Sequence, residues 1–130
     1  MSVYIIARKD KLLYHFGILL ESGRVLHYGS ITNNMFACDQ GIKCDNLDDF
    51  ARQRKVRVVD IITKLPEAMI LNRTKTYLIE KNKYSIRKNN CILFVLWCLK
   101  IEERKSFLIV LKYYIRYMIL MYTSRRVYLL

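Results

Sequence analysis

Hydrophobic positions come in short runs near the start of the chain and in long ones near its end. Val3–Ala7 is apolar and rich in β-formers, Arg8–Lys11 reads as a charged turn, and Leu12–Leu20 resumes the apolar pattern. Glu21-Ser22-Gly23 breaks that run and Val25–Tyr28 follows, which is the pattern of a β-hairpin. A loop of Glu21–Gly23 sets Gly17 opposite His27 and leaves His15 on the same face; a loop one residue shorter would turn His27 to the other face. Gly17, without a side chain, is expected to leave open space between the two rings. From Ser30 to Asp49 the chain is polar and reads as a long surface loop that crosses over a site.

Val56–Ile62 predicts another strand, and Pro66-Glu67 opens a short helix through Leu71, with proline suited to the first turn. A small apolar stretch, Tyr77–Ile79, precedes the polar Lys81–Asn90. Cys91–Ile101 is apolar on all sides and predicts a buried helix, with Asn89 or Asn90 as its N-cap. After the charged break Glu102–Lys105, the segment Ser106–Ser124 approaches the length of a bilayer span. Lys112 and Arg116 near its centre offset most of what its aliphatic residues gain in lipid. Leu108, Leu111, Ile115, Met118 and Tyr122 instead trace an apolar stripe beside those cations, as in an interfacial helix or a helix of the core.

Composition narrows this picture. A chain of 130 residues with 53% hydrophobic residues, four glycines and one proline is a folded domain with a core of its own. Lysine and arginine number 23 against 11 acidic residues, a net charge of +12, so an acidic partner surface is expected. The basic residues are dispersed, which reads as a solvated basic surface ahead of direct nucleic-acid binding, while the net charge would favour an anionic lipid surface. Abundant Lys, Asn, Ile and Tyr point to an AT-biased genome such as that of a virus. Met1–Leu13 carries four charged residues and no apolar core of signal-peptide length, so the four cysteines are read as free thiols in a reducing compartment. Cys38 and Cys44 have poor zinc spacing, and Cys98, two helical turns beyond Cys91, reads as core.

The chemistry-bearing candidates are Cys91, His15 and His27. Cys91 stands at the predicted N-terminus of an apolar helix, where unpaired backbone N–H groups favour a thiolate and can hold an oxyanion. A nearby imidazolium would complete the ion pair of cysteine nucleophilic catalysis. Spacing alone leaves open a core cysteine with two structural histidines.

Tyr14-His15-Phe16-Gly17-Ile18-Leu19-Leu20, followed by Gly23-Arg24-Val25-Leu26-His27-Tyr28, resembles the H-box of the lecithin:retinol acyltransferase-like family. That family includes the phospholipase A/acyltransferases and the H-box/NC proteins of some picornaviruses. Tyr84, then Asn89-Asn90-Cys91 and Phe94-Val95, resembles its second signature block. The resemblance covers about residues 3–100. It implies an α+β, circularly permuted papain-like (NlpC-like) fold, with an antiparallel sheet packed on the helix that carries the cysteine. Residues 1–105 would form this domain and 106–130 an apolar C-terminal helix, membrane-associated or packed on the domain.

By the same resemblance His15 is the general base, His27 orients it, and Cys91 forms the acyl-enzyme. The implied activity is acyl transfer or hydrolysis on glycerophospholipid esters, at a cytoplasmic membrane surface and with no metal or organic cofactor. Ile92-Leu93 stand where the acyltransferases commonly carry Glu-His, which leaves two alternatives open. One is an interaction protein with little turnover; the other is a papain-like amidase or peptidase.

Overall fold

The computed structural model describes residues 2–10, 13–30, 40–63, 65–80, 90–104, 106–124 and 127–128. Five strands, β1 (Val3–Asp10), β2 (Leu13–Leu19), β3 (Arg24–Ser30), β4 (Gln40–Asn46) and β5 (Val56–Ile62), form an antiparallel sheet with the two-residue β6 (Val127–Tyr128). The strand order is β4-β3-β2-β1-β5-β6. Between β4 and β5 lies the single turn of α1 (Leu47–Ala51), and α2 (Glu67–Glu80), α3 (Cys91–Cys98) and α4 (Phe107–Ser124) follow. The fold is α+β, with most of its helix after the sheet.

Alternation along the strands gives the sheet two different faces. Val3, Ile5, Ala7, Phe16, Ile18, Leu26 and Tyr28 form one, and they share a core with Ile70 and Tyr77 of α2, nearly all of α3, and Val110, Tyr117 and Met121 of α4. Ile6, Val25, Val56 and Val58 form the other and pack on Phe50 and Ala51 of α1. The first face is the main core, and its aromatic contacts run from Tyr28 to Tyr77 and Phe94 at centroid distances of 5.5 and 6.1 Å.

The hairpin register is the one a three-residue loop dictates: Gly17 lies opposite His27 and Leu19 opposite Val25. Four other expectations need correction. The charged turn at Arg8–Lys11 is not where β1 ends; the strand runs on to Asp10, while Lys11 lies outside the described residues. Arg8 can continue it because its guanidinium is buried with partners: Asp10 at 2.9 and 3.1 Å, the Phe50 carbonyl, and the face of the Phe50 ring. A paired charge can enter a core that would reject a lone one.

The polar stretch Ser30–Asp49 is not one loop. Residues 31–39 lie outside the described residues, but Gln40–Asn46 is the edge strand and Leu47–Ala51 a helix. Backbone pairing to β3 makes the strand, and Asn46 caps the helix by accepting from the Asp49 amide at 2.8 Å. Third, α2 does not stop at Leu71. Ile70, Thr74 and Tyr77 recur at helical spacing on its buried side, and Thr74 satisfies its hydroxyl on the Ile70 carbonyl.

The space beside Gly17 is filled, not open. A Cβ there would stand 2.9 Å from Phe50 Cε1, 3.0 Å from Val25 Cγ1 and 3.2 Å from the Leu26 carbonyl oxygen. Gly17→Ala is therefore expected to cost about 1–3 kcal/mol of stability by overpacking, read as a lower thermal midpoint. A Gly17→Ala/Phe50→Leu pair should recover part of that loss, because the shorter side chain withdraws the clashing ring atom.

Candidate active site

His15 sits near the start of β2 and His27 in the middle of β3, both on the α1 face of the sheet. Both are buried. His15 Nε2 lies 2.9 Å from His27 Nδ1, and His27 Nε2 lies 2.7 Å from Asp45 Oδ2. This is a linear relay, carboxylate to imidazole to imidazole. With Asp45 ionised, His27 donates from Nε2, so its Nδ1 accepts the proton that His15 carries on Nε2. His15 Nδ1 is then the acceptor left over, and it makes no hydrogen bond among the described residues.

Phe50 holds the relay in place. Its ring stacks on His15 at 5.7 Å and meets His27 edge-on at 5.0 Å. The ring comes from α1, which Asn46 caps directly after Asp45, so one short connection supplies both the carboxylate and the lid. Arg8 pairs across the sheet with His15, and Lys43 with His27.

Burial sets the protonation state. Desolvation pushes His15 well below the usual histidine range, and the charges of His27, Arg8, Arg52 and Lys43 push it the same way. His27 is lowered to about 4, again first by desolvation, with Asp45 opposing. Both rings are therefore neutral at neutral pH. The imidazolium expected from the sequence is not the resting state of either ring.

Cys91 occupies the first position of α3, and Asn90 is its N-cap, accepting from the Leu93 amide at 3.0 Å. The thiol is buried in the main core, near the hydroxyls of Tyr77 and Tyr114. The Tyr114 hydroxyl in turn accepts from the Tyr14 amide at 3.1 Å, which ties this end of α3 and α4 to the residue before His15. The structure thus brings His15 and His27 together, adds Asp45, and places Cys91 beneath the other face of the same sheet. Asp45 was missed because it lies in the stretch read as a loop. Its one available signal is position: alternate residues of a strand beside β3 would face His27.

Cys44 is exposed and Cys98 buried, both as free thiols; Cys38 lies outside the described residues. Burial drives the Cys98 thiol up to about 12, and Thr74 contacts it at 3.6 Å. That is a core cysteine.

Neither the curated proteins nor the solved structures yield a match to this chain. The family model described as lecithin retinol acyltransferase matches residues 2–104, a span that takes in both histidines, Asp45 and Cys91 and ends before α4. With that span matched, the chain belongs to the lecithin retinol acyltransferase family.

Proposed function

We propose that the protein is a thiol-dependent acyltransferase or phospholipase acting on glycerophospholipid esters, built on a circularly permuted papain-like domain. Family membership supports acyltransferase or phospholipase activity in broad terms. The observation that carries the finer reading is the histidine relay. It leaves a single neutral ring nitrogen, His15 Nδ1, on a base braced from behind by His27 and Asp45. A nucleophilic thiol needs such an acceptor, and Cys91 at a capped helix N-terminus is the thiol with the right surroundings.

This reaction requires Cys91 and His15 to meet on one side of the sheet, and not on the opposite faces they occupy here. With the two so placed, the Cys91 sulfur attacks the ester carbonyl carbon as its proton passes to His15 Nδ1. The oxyanion collapses, the C–O bond breaks, and the leaving alcohol takes the proton back. Water or an amine then cleaves the thioester, giving up its own proton through the same ring. The exposed apolar stripe of α4, including Leu108, Ile115, Ile119 and Tyr122, supports work at a bilayer surface. Among the described residues no helix is long and apolar enough to cross a membrane.

One observation favours a second reading. Cys91 and the relay belong to opposite faces of the sheet, as they would in a chain that keeps the fold for binding and turns over little. An acyl-directed thiol probe separates the two. For the enzyme, labelling falls on Cys91, saturates, and is lost in His15→Ala. Slow labelling of the exposed Cys44 alone, or Cys91 labelling indifferent to His15→Ala, would leave the interaction protein as the surviving reading.

A further inference from the structure

A cavity of about 340 Å³ opens at the end of the sheet, lined by Lys9, Tyr14, Arg54, Lys55 and Arg57. Four of these five side chains are cationic. Lys9 pairs with Tyr14 and Arg57 with Ala7 across the sheet, which puts Lys9, Tyr14 and Arg57 on the helix-covered face. The acidic group beside them, Asp10, is already engaged by Arg8 and by Arg54 at 3.1 Å. Arg54 is fixed further by its bond to the Lys9 carbonyl at 2.6 Å. Lys55 and Arg57 make no ion pair among the described residues.

The cavity adjoins the outward face of α4. The Arg57 guanidinium lies 5.6 Å from the Tyr122 ring, and the Tyr122 hydroxyl is near that of Tyr14. Tyr122 ends the row Leu108, Leu111, Ile115, Ile119, Tyr122, each at least 42% exposed. Lys112 and Arg116 flank that row and are exposed as well. Apolar side chains in a continuous row beside a cationic cavity match the two layers of a membrane interface, acyl chain and phosphate.

We propose that this cavity binds a phosphate monoester of an anionic lipid headgroup while the outward row of α4 lies at the bilayer surface. Arginine's planar fork suits phosphate oxygens better than a point charge does, and the two arginines lie beside two lysines. A second copy of the chain is a poorer occupant, since two surfaces of a +12 protein repel. A nucleic acid would satisfy the cations but leave the aliphatic row in water. This role presupposes a protein that works at a lipid surface and is independent of turnover at Cys91.

Sedimentation of the full chain with vesicles tests it, using phosphatidylcholine alone, or with phosphatidic acid or phosphatidylserine at matched surface charge. Retention on phosphatidic acid should exceed that on phosphatidylserine by about tenfold, as a site for a phosphate monoester requires. Lys55→Gln/Arg57→Gln should erase that preference, and Arg57→Lys, which keeps the charge without the fork, should lose part of it. Lys75→Gln/Lys100→Gln, removing equal charge elsewhere, should keep it. Ile115→Gln/Ile119→Gln should weaken retention on every vesicle.

If the wild-type chain sediments with no vesicle, both the lipid-surface role and the cavity's role fall. If both charge-removing pairs weaken retention equally, the cavity is wrong and the lipid surface stands. Displacement by inorganic phosphate at the lipid's own phosphate concentration, tighter retention by RNA, or a lipid-free oligomer that Ile115→Gln/Ile119→Gln dissolves would each overturn the assignment.

Discussion

Cys91→Ser is expected to lower turnover of a glycerophospholipid ester by on the order of 10⁴-fold while leaving the thermal midpoint within a few degrees of the parent. Serine is close to cysteine in size, so the N-terminal turn of α3 keeps its Asn90 cap and its packing. On the proposed reaction what is lost is the nucleophile, because a neutral imidazole is too weak a base to ionise an alcohol as readily as a thiol. His15→Ala should cost about 10²–10⁴-fold, the range of a general base. Asp45→Asn should cost less, about tenfold, since it acts through His27 and not on the substrate. The double variant Cys91→Ser/His15→Ala should be no slower than Cys91→Ser, because groups acting as a unit are not additive. Steady-state release of labelled fatty acid measures all four. Cys91→Ser turning over as fast as the parent would remove the acyl-enzyme.

Asp45→Asn has a second signature that a structural role would not produce. An amide in place of the carboxylate can turn either its acceptor oxygen or its donor NH2 toward His27 Nε2, so the proton there is no longer fixed by an acceptor-only partner. The His27 tautomer is then free to change, and with it the nitrogen that His15 presents. The acid limb of the activity profile should move in Asp45→Asn, with KM unchanged. A variant that only loosened β4 would scale the whole profile down without moving it.

The parts of this molecule that sequence pattern resolves are those in which side chains alone decide the structure. The β2–β3 hairpin is legible because Glu21-Ser22-Gly23 fixes the loop and the loop fixes the register, which brings both histidines to one face. The α3 helix is legible because Asn90 precedes an unbroken apolar run. Pattern fails where a backbone partner or a distant side chain decides. Arg8 looks like a turn residue until Asp10 and the Phe50 carbonyl, far along the chain, neutralise it. Gln40–Asn46 has no apolar alternation, because an edge strand with one wet face is held by β3's hydrogen bonds. Asp45 and the Phe50 lid were hidden with it.

The α4 stripe shows the same limit from the other side. Helical spacing groups Leu108, Leu111, Ile115 and Tyr122 on one face but wrongly adds Met118, which packs partly buried against the core, and spacing cannot say which way a face points. In the structure that face is outward; the helix packs inward through Val110, Tyr117 and Met121. The inward choice follows from the aromatic residues. Phe16 accepts Tyr114 and Tyr117 at ring distances of 5.9 and 5.7 Å, and Val110 and Met121 are buried on the same side of the helix.

Stability should fall steeply as the pH drops from about 6.5 toward 4, well before the carboxylates are the main titrating groups. The sign follows from the two buried rings. In the unfolded chain each histidine takes a proton near pH 6.5. In the folded chain burial keeps His27 neutral down to about 4 and keeps His15 neutral further still, with Arg8, Lys43 and Arg52 opposing any added charge. Across that window the unfolded state binds more protons, so acid favours unfolding. For His27 the loss approaches on the order of 3 kcal/mol at the lower end, and His15 adds to it with the same sign.

Urea titrations at intervals between pH 7.5 and 4.5 should show the midpoint falling by about 1–2 M. His27→Gln should be less stable than the parent at pH 7.5 but lose less between the two ends, because one of the two buried rings is gone. A parent midpoint that stays flat across this window would mean that the rings are solvated or charged in the folded state. His15 would then not be the neutral base that the relay requires.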